Sequence, residues 1–115
     1  MREIIRDKER LLHIIDSIDN IINGREKYSD EQIKSDPVLF YGMVKCVEII
    51  GEAAYKLTDA TRSDSSDIPW AAIIGMRHVL VHGYYQIKPE RLFATMTYDL
   101  VPLRERLVRI VEDMD

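Results

Sequence analysis

Between Gly75 and Tyr85 the chain reads Gly-Met-Arg-His-Val-Leu-Val-His-Gly-Tyr-Tyr, which sets a guanidinium, two imidazoles and two phenols into an otherwise apolar, helix-like run. These groups suit phosphate ester chemistry. Opening a ribose phosphodiester without metal takes a base for the 2′-hydroxyl proton, an acid for the departing 5′-oxygen and a cation facing the pentavalent phosphorus. A histidine titrates near neutrality and serves as base or acid, while an arginine stays charged and matches two phosphate oxygens at once. Arg77 and His82 are therefore the candidate catalytic pair, and Tyr84 a residue that orients phosphate or stacks on a base.

Spacing complicates this assignment. On an ideal helix Arg77 and His82 project about 140° apart, whereas His78 and His82, at i and i+4, share nearly one face. Arg77 and His82 converge only if the helix end tightens, if the arginine reaches around, or if two subunits pool their residues. His78 either helps to bind phosphate or fills a plain polar position. As a zinc pair, His78 and His82 lack a third ligand at convincing spacing, and no metal or other cofactor is expected. Upstream, Glu48 and Glu52 lie on one helix face with Lys45 and Lys56, so both fit solvated i,i+3 and i,i+4 ion pairs. Alternatively, Glu52 points into the cleft and holds Arg77 or His82 in place. Taken alone, Arg-x4-His is a weak signal, since a histidine near a helix C-terminus is commonly structural.

The elements that must carry these residues read as helices. Ile4, Leu11, Ile15, Ile18 and Ile22 recur at three- and four-residue steps, widened by Ile5, Leu12, Ile14 and Ile21. A stripe this broad suits a first helix facing both its own core and a second subunit, with Gly24 as its stop. Ser29 and Gln32 form a capping box for a short helix, and Asp36-Pro37 opens a longer one running to about Thr58. Residues 59 to 67 are polar and read as a loop. Asp67-Ile68-Pro69 opens the motif helix, which Gly83 ends. From Pro89 a last helix places Phe93, Met96, Leu100, Leu103, Leu107, Ile110 and Met114 in one stripe, with Pro102 expected to kink it. Strand signals are absent. The expected fold is all-α, an antiparallel bundle of four main helices plus a short one, with Trp70, Tyr41 and Tyr55 in the core or an interface and His13 structural.

At 115 residues, 46% apolar and 31% charged, the chain fits a single globular domain spanning residues 1–115. Its one cysteine, Cys46, allows no internal disulfide and reads as a small core residue in a reducing compartment. No apolar window approaches a membrane span, so a cytoplasmic address is expected. A net charge of -4 argues against a general nucleic-acid coat. Residues 75 to 110 nevertheless hold six basic side chains, Arg77, Lys88, Arg91, Arg104, Arg106 and Arg109, against the acids Glu90, Asp99 and Glu105. A local basic cleft on an acidic body is consistent with that distribution.

Arg77-x4-His82-x-Tyr84 resembles the signature of HEPN-domain ribonuclease toxins of the HepT type. Glu48-Ile-Ile-Gly51-Glu52-Ala-Ala and Ile68-Pro69-Trp70-Ala-Ala-Ile-Ile-Gly75 are also similar to that family, and the likeness covers nearly the whole chain. The resemblance implies a metal-independent endoribonuclease whose Arg77 and His82 meet those of a second protomer in a cleft at a two-fold interface, with His78, Tyr84 and Glu52 supporting or binding RNA. It further implies an MNT-type nucleotidyltransferase antitoxin as partner, transferring AMP onto Tyr84, with Tyr85 next in line as acceptor. Phosphate charge added there would repel RNA. A different reading is a non-catalytic HEPN dimer that binds a nucleotide or serves as a subunit of a nucleotidyltransferase. A structural helical dimer with the motif keeping register is a third.

Overall fold

A computed structural model describes residues 2–82 and 87–114, and their side chains from Arg6 to Leu80 and from Ile87 onward. Every element in it is helical: α1 (Arg2–Lys27), α2 (Asp30–Ser35), α3 (Pro37–Tyr55), α4 (Asp59–Asp64), α5 (Trp70–His82), α6 (Pro89–Ala94) and α7 (Leu100–Met114), with a π-helical turn at Thr95–Asp99 joining the last two. The fold is the all-α helical bundle that the periodicities indicate.

Local chemistry sets most boundaries. Ser29 and Gln32 make the reciprocal capping box, Gln32 N–H donating to Ser29 Oγ at 3.1 Å and Ser29 N–H to Gln32 Oε1 at 2.8 Å. Asp36 caps α3 by accepting from Val38 N–H at 2.9 Å, with Pro37 at the first helical position.

Four expectations need correction. Gly24 does not end the first helix; α1 continues to Lys27 while Gly24 lies against the Met43 side chain, so the glycine serves packing. The polar stretch after Thr58 is not wholly loop, because the Thr58 hydroxyl accepts from Thr61 N–H at 3.3 Å and nucleates α4. Asp67 does not cap the motif helix. Its carboxylate accepts from both Nε and Nη2 of Arg106, at 2.7 and 3.1 Å, and α5 starts at Trp70. The distortion tied to Pro102 takes the form of the π-helical turn just upstream, where the Tyr98 carbonyl has no residue-102 N–H to accept.

α1 and α3 pack extensively together, α3 equally on α5, and α1 also on α7. Leu11, Ile14, Ile18 and Ile21 of α1 are fully or almost fully buried against Val44, Val47, Ile50 and Ala54 of α3 and Leu100, Leu107 and Val111 of the last helix. Most of the described part of the first stripe is thus used by two helices of the same chain, while Leu12 stays exposed. Trp70 is in the core, its Nε1–H donating to Ser65 O and Oγ at 3.2 and 3.1 Å. Tyr41 and Tyr55 are exposed, as is His13, so none of them is core.

Candidate active site

The site begins where α3 crosses α5. A Cβ built on Gly51 would overlap Arg77 Cβ and stand 3.1 Å from both Arg77 Cα and the Ile73 carbonyl. Only a residue without a side chain lets the motif helix approach this closely. One position on, Glu52 meets the arginine that Gly51 admits: its Oε2 lies 2.6 Å from Arg77 Nε. Nε is buried and its N–H is not aimed along that line, so the contact is a charge pair rather than an aligned hydrogen bond. Glu52 also pairs with Lys56 at 3.4 Å. Partial desolvation pushes the Glu52 carboxyl up, but hydrogen bonding from Lys56 and the charge of Arg77 together outweigh it and hold the group below its ordinary range. Glu48, one turn earlier, pairs with Lys45 at 3.1 Å instead. The two glutamates therefore differ in environment, and Glu52 is the one that faces the motif.

Tyr55 completes the cluster. Its ring centroid lies 5.7 Å from Arg77 Cζ, within cation–π range, and the residue is 57% exposed. The sequence reading places Tyr55 in core or interface and misses this contact. The signal was its position three residues after Glu52, which puts both on one face of α3. The terminal nitrogens of Arg77 meet no acceptor among the described residues.

α5 is helical through His82, so the backbone keeps Arg77 and His82 about 140° apart in projection. His78 is exposed on the same helix. The His82 side chain and the whole of Gly83, Tyr84 and Tyr85 lie outside the described residues, and with them the helix stop and both candidate AMP acceptors. Among the described residues, no three His, Cys, Asp or Glu side chains gather as a metal site would require. The basic surplus after residue 75 is partly neutralised: Arg104 Nε lies 2.5 Å from Asp19 Oδ1, and Arg106 is held by Asp67. Those pairings hold both guanidinium pKa values up and commit their charge to packing. Lys88 and Arg91 remain beside the motif helix, on the rim of a groove of about 880 Å³ lined by Gly75, Met76 and Val79.

Residues 9–110 match the family described as Ribonuclease HepT-like. The chain belongs to the HepT-like ribonuclease family. It is similar to a Methanocaldococcus jannaschii protein named as a candidate RNase, 28% identical over 108 residues, covering 94% of this chain and 89% of that one. A candidate RNase of Caldanaerobacter subterraneus is 31% identical over 102 residues, 89% of this chain and 91% of the relative. A Thermococcus cleftensis protein named as a probable ribonuclease HepT is 24% identical over 103 residues, covering 90% and 94%. No solved structure matches the chain. Membership makes this a ribonuclease of the HEPN type with RNA as its substrate class, and no described helix is long and apolar enough to cross a membrane.

Proposed function

We propose that the chain is a metal-independent endoribonuclease toxin that works in the cytoplasm as a homodimer, with Arg77 and His82 of both protomers lining one cleft. The observation that carries this reading is Arg77 itself: a guanidinium seated at a glycine-permitted helix crossing and anchored through Nε by Glu52. Its terminal nitrogens pair with no acceptor among the described residues and have the geometry to take two phosphate oxygens. In the proposed reaction one His82 imidazole removes the 2′-hydroxyl proton, and the 2′-oxygen attacks phosphorus. The phosphorus–5′-oxygen bond then breaks, with a protonated imidazole giving its proton to the leaving oxygen. Arg77 neutralises the charge that develops on the phosphorane.

Two features support pooling across a two-fold axis. The helical backbone through His82 keeps the pair on different faces of one protomer. α5 also leaves apolar surface uncovered, with Val79 56% exposed beside Gly75 and Ala72. An MNT-type nucleotidyltransferase antitoxin would silence the site by AMP transfer to Tyr84, the phenolic oxygen attacking the α-phosphate of ATP and releasing pyrophosphate. The added charge would then block phosphate binding.

Subunit mixing tests the shared cleft. Arg77→Ala and His82→Ala proteins should each be inactive, and a refolded mixture should regain part of the cleavage. Wild type that cleaves while the mixture stays inactive would reject pooling; wild type that does not cleave would reject the nuclease.

A further inference from the structure

Tyr55 has no part in the reaction described above, yet its ring is in contact with Arg77. It closes the last turn of α3, with more than half of its surface open and its ring centroid 5.7 Å from the guanidinium carbon. A packing role does not account for so exposed a ring. A cation–π contact alone, with both partners partly solvated, is a weak reason to keep one. An exposed aromatic one residue's reach from a phosphate-binding arginine is the arrangement on which an unpaired nucleobase stacks while its phosphate is gripped.

We propose that Tyr55 is a stacking platform for one nucleobase of single-stranded RNA, seated beside the phosphate that Arg77 binds. The inference rests on the reading of Arg77 as the phosphate-binding group, and adds to it both a residue and a substrate preference. A base held in a duplex is stacked on its neighbours and is not presented to Tyr55, so the enzyme should select loops, bulges and unpaired ends. Stacking tolerates any base, because every base has a π-face, so the preference is for strandedness rather than sequence. The flanking charges leave the ring accessible: Lys56 is turned toward Glu52, and Glu52 toward Arg77.

The test uses the full chain and a fluorescein-labelled 2′-O-methyl oligoribonucleotide, which cannot be cut through its 2′-oxygen, titrated single-stranded and as a duplex over a range of NaCl. Wild type is compared with Tyr55→Phe, Tyr55→Leu and Arg77→Ala, with folding checked by circular dichroism. Tyr55→Leu, which keeps bulk without a π-face, should weaken single-strand binding about tenfold or more. It should leave the slope of log affinity against log salt unchanged, since no charge is lost. Tyr55→Phe should bind as wild type, and Arg77→Ala should bind weakly with a shallower slope. Full affinity in Tyr55→Leu, with Arg77→Ala impaired, would overturn the platform and leave the arginine's role intact. A shallower slope in Tyr55→Leu would also overturn it, by showing that the ring only steadies the guanidinium. Unimpaired binding by Arg77→Ala would remove the phosphate reading, and the platform with it.

Discussion

Arg77 owes its position to two neighbours of opposite kinds, a glycine that makes room and a carboxylate that anchors. Replacing Gly51 by Ala forces a methyl group into the α5 backbone, which has no flexible end to yield. The expected cost is about 1–3 kcal/mol in a urea melt, with cleavage falling further than stability because the guanidinium is displaced. Gly24→Ala is the control: its Cβ meets only the flexible end of the Met43 side chain, and the melt should shift far less. Glu52→Gln keeps the shape but removes the charge that orients Arg77, and kcat/KM for RNA should fall about 10- to 100-fold. The same carboxylate carries a pH signature. Its pKa is lowered on folding, so its contribution to stability is present above the unfolded value of about 4.3 and is lost as pH falls through the depressed folded value. Asp67, lowered chiefly by hydrogen bonding from Arg106, behaves in the same direction. Glu52→Gln and Asp67→Asn should each flatten the acid limb of a stability-versus-pH curve, read by thermal melts between about pH 5 and 2.

Among the helices, those with period-matched stripes and standard caps were legible in the sequence. The α1 and last-helix stripes, the Ser29 capping box and the Asp36-Pro37 start appear where spacing puts them, because each depends only on residues within a turn. What was not legible depends on distant partners. Thr58 begins α4 instead of a loop because Asp7, fully buried on α1, accepts from the Thr58 hydroxyl at 2.6 Å, the Thr61 hydroxyl at 2.5 Å and Thr58 N–H at 3.2 Å. Helix phase puts Asp7 in line with Ile4, Leu11 and Ile14, but nothing local names the partners that satisfy its carboxylate. Asp7→Ala should leave those donors stranded and cost about 3 kcal/mol in a denaturant melt, with α4 losing amide-exchange protection first. Asp67 misled in the opposite sense, since an acid before Ile-Pro reads as a cap until Arg106 is seen to hold it. In the site, helix phase assigns Glu52 to solvated pairs with its lysine neighbours and leaves its approach to Arg77 as an alternative, while Tyr55 escapes because an aromatic residue in an apolar helix reads by default as core.

Across the described residues of the whole molecule, apolar surface is left open on both α1, at Leu12, and α5, at Val79. The α1 stripe packs largely on α3 and α7 but leaves Leu12 40% exposed, whereas α5 packs heavily only on α3 and leaves Val79 56% exposed. A cavity of about 530 Å³ between α5 and the last helix is bordered by Ala72, Met76 and Tyr98, the last 75% exposed. Val79→Glu should therefore convert a dimer to monomers in sedimentation velocity and abolish cleavage without lowering the monomer's helicity; a dimer that survives would place the interface elsewhere. Arg104 and Arg106 are committed to Asp19 and Asp67, so the proposed phosphate binding rests on Arg77 rather than on these two. The most direct test of a metal-independent nuclease at this motif is cleavage of a defined tRNA and mRNA panel in EDTA. Wild type is to be compared with Arg77→Ala and His82→Ala at matched circular dichroism. Cleavage should survive EDTA in wild type and fall at least about 100-fold in both variants. Equal cleavage by all three proteins, or none by wild type, would contradict it.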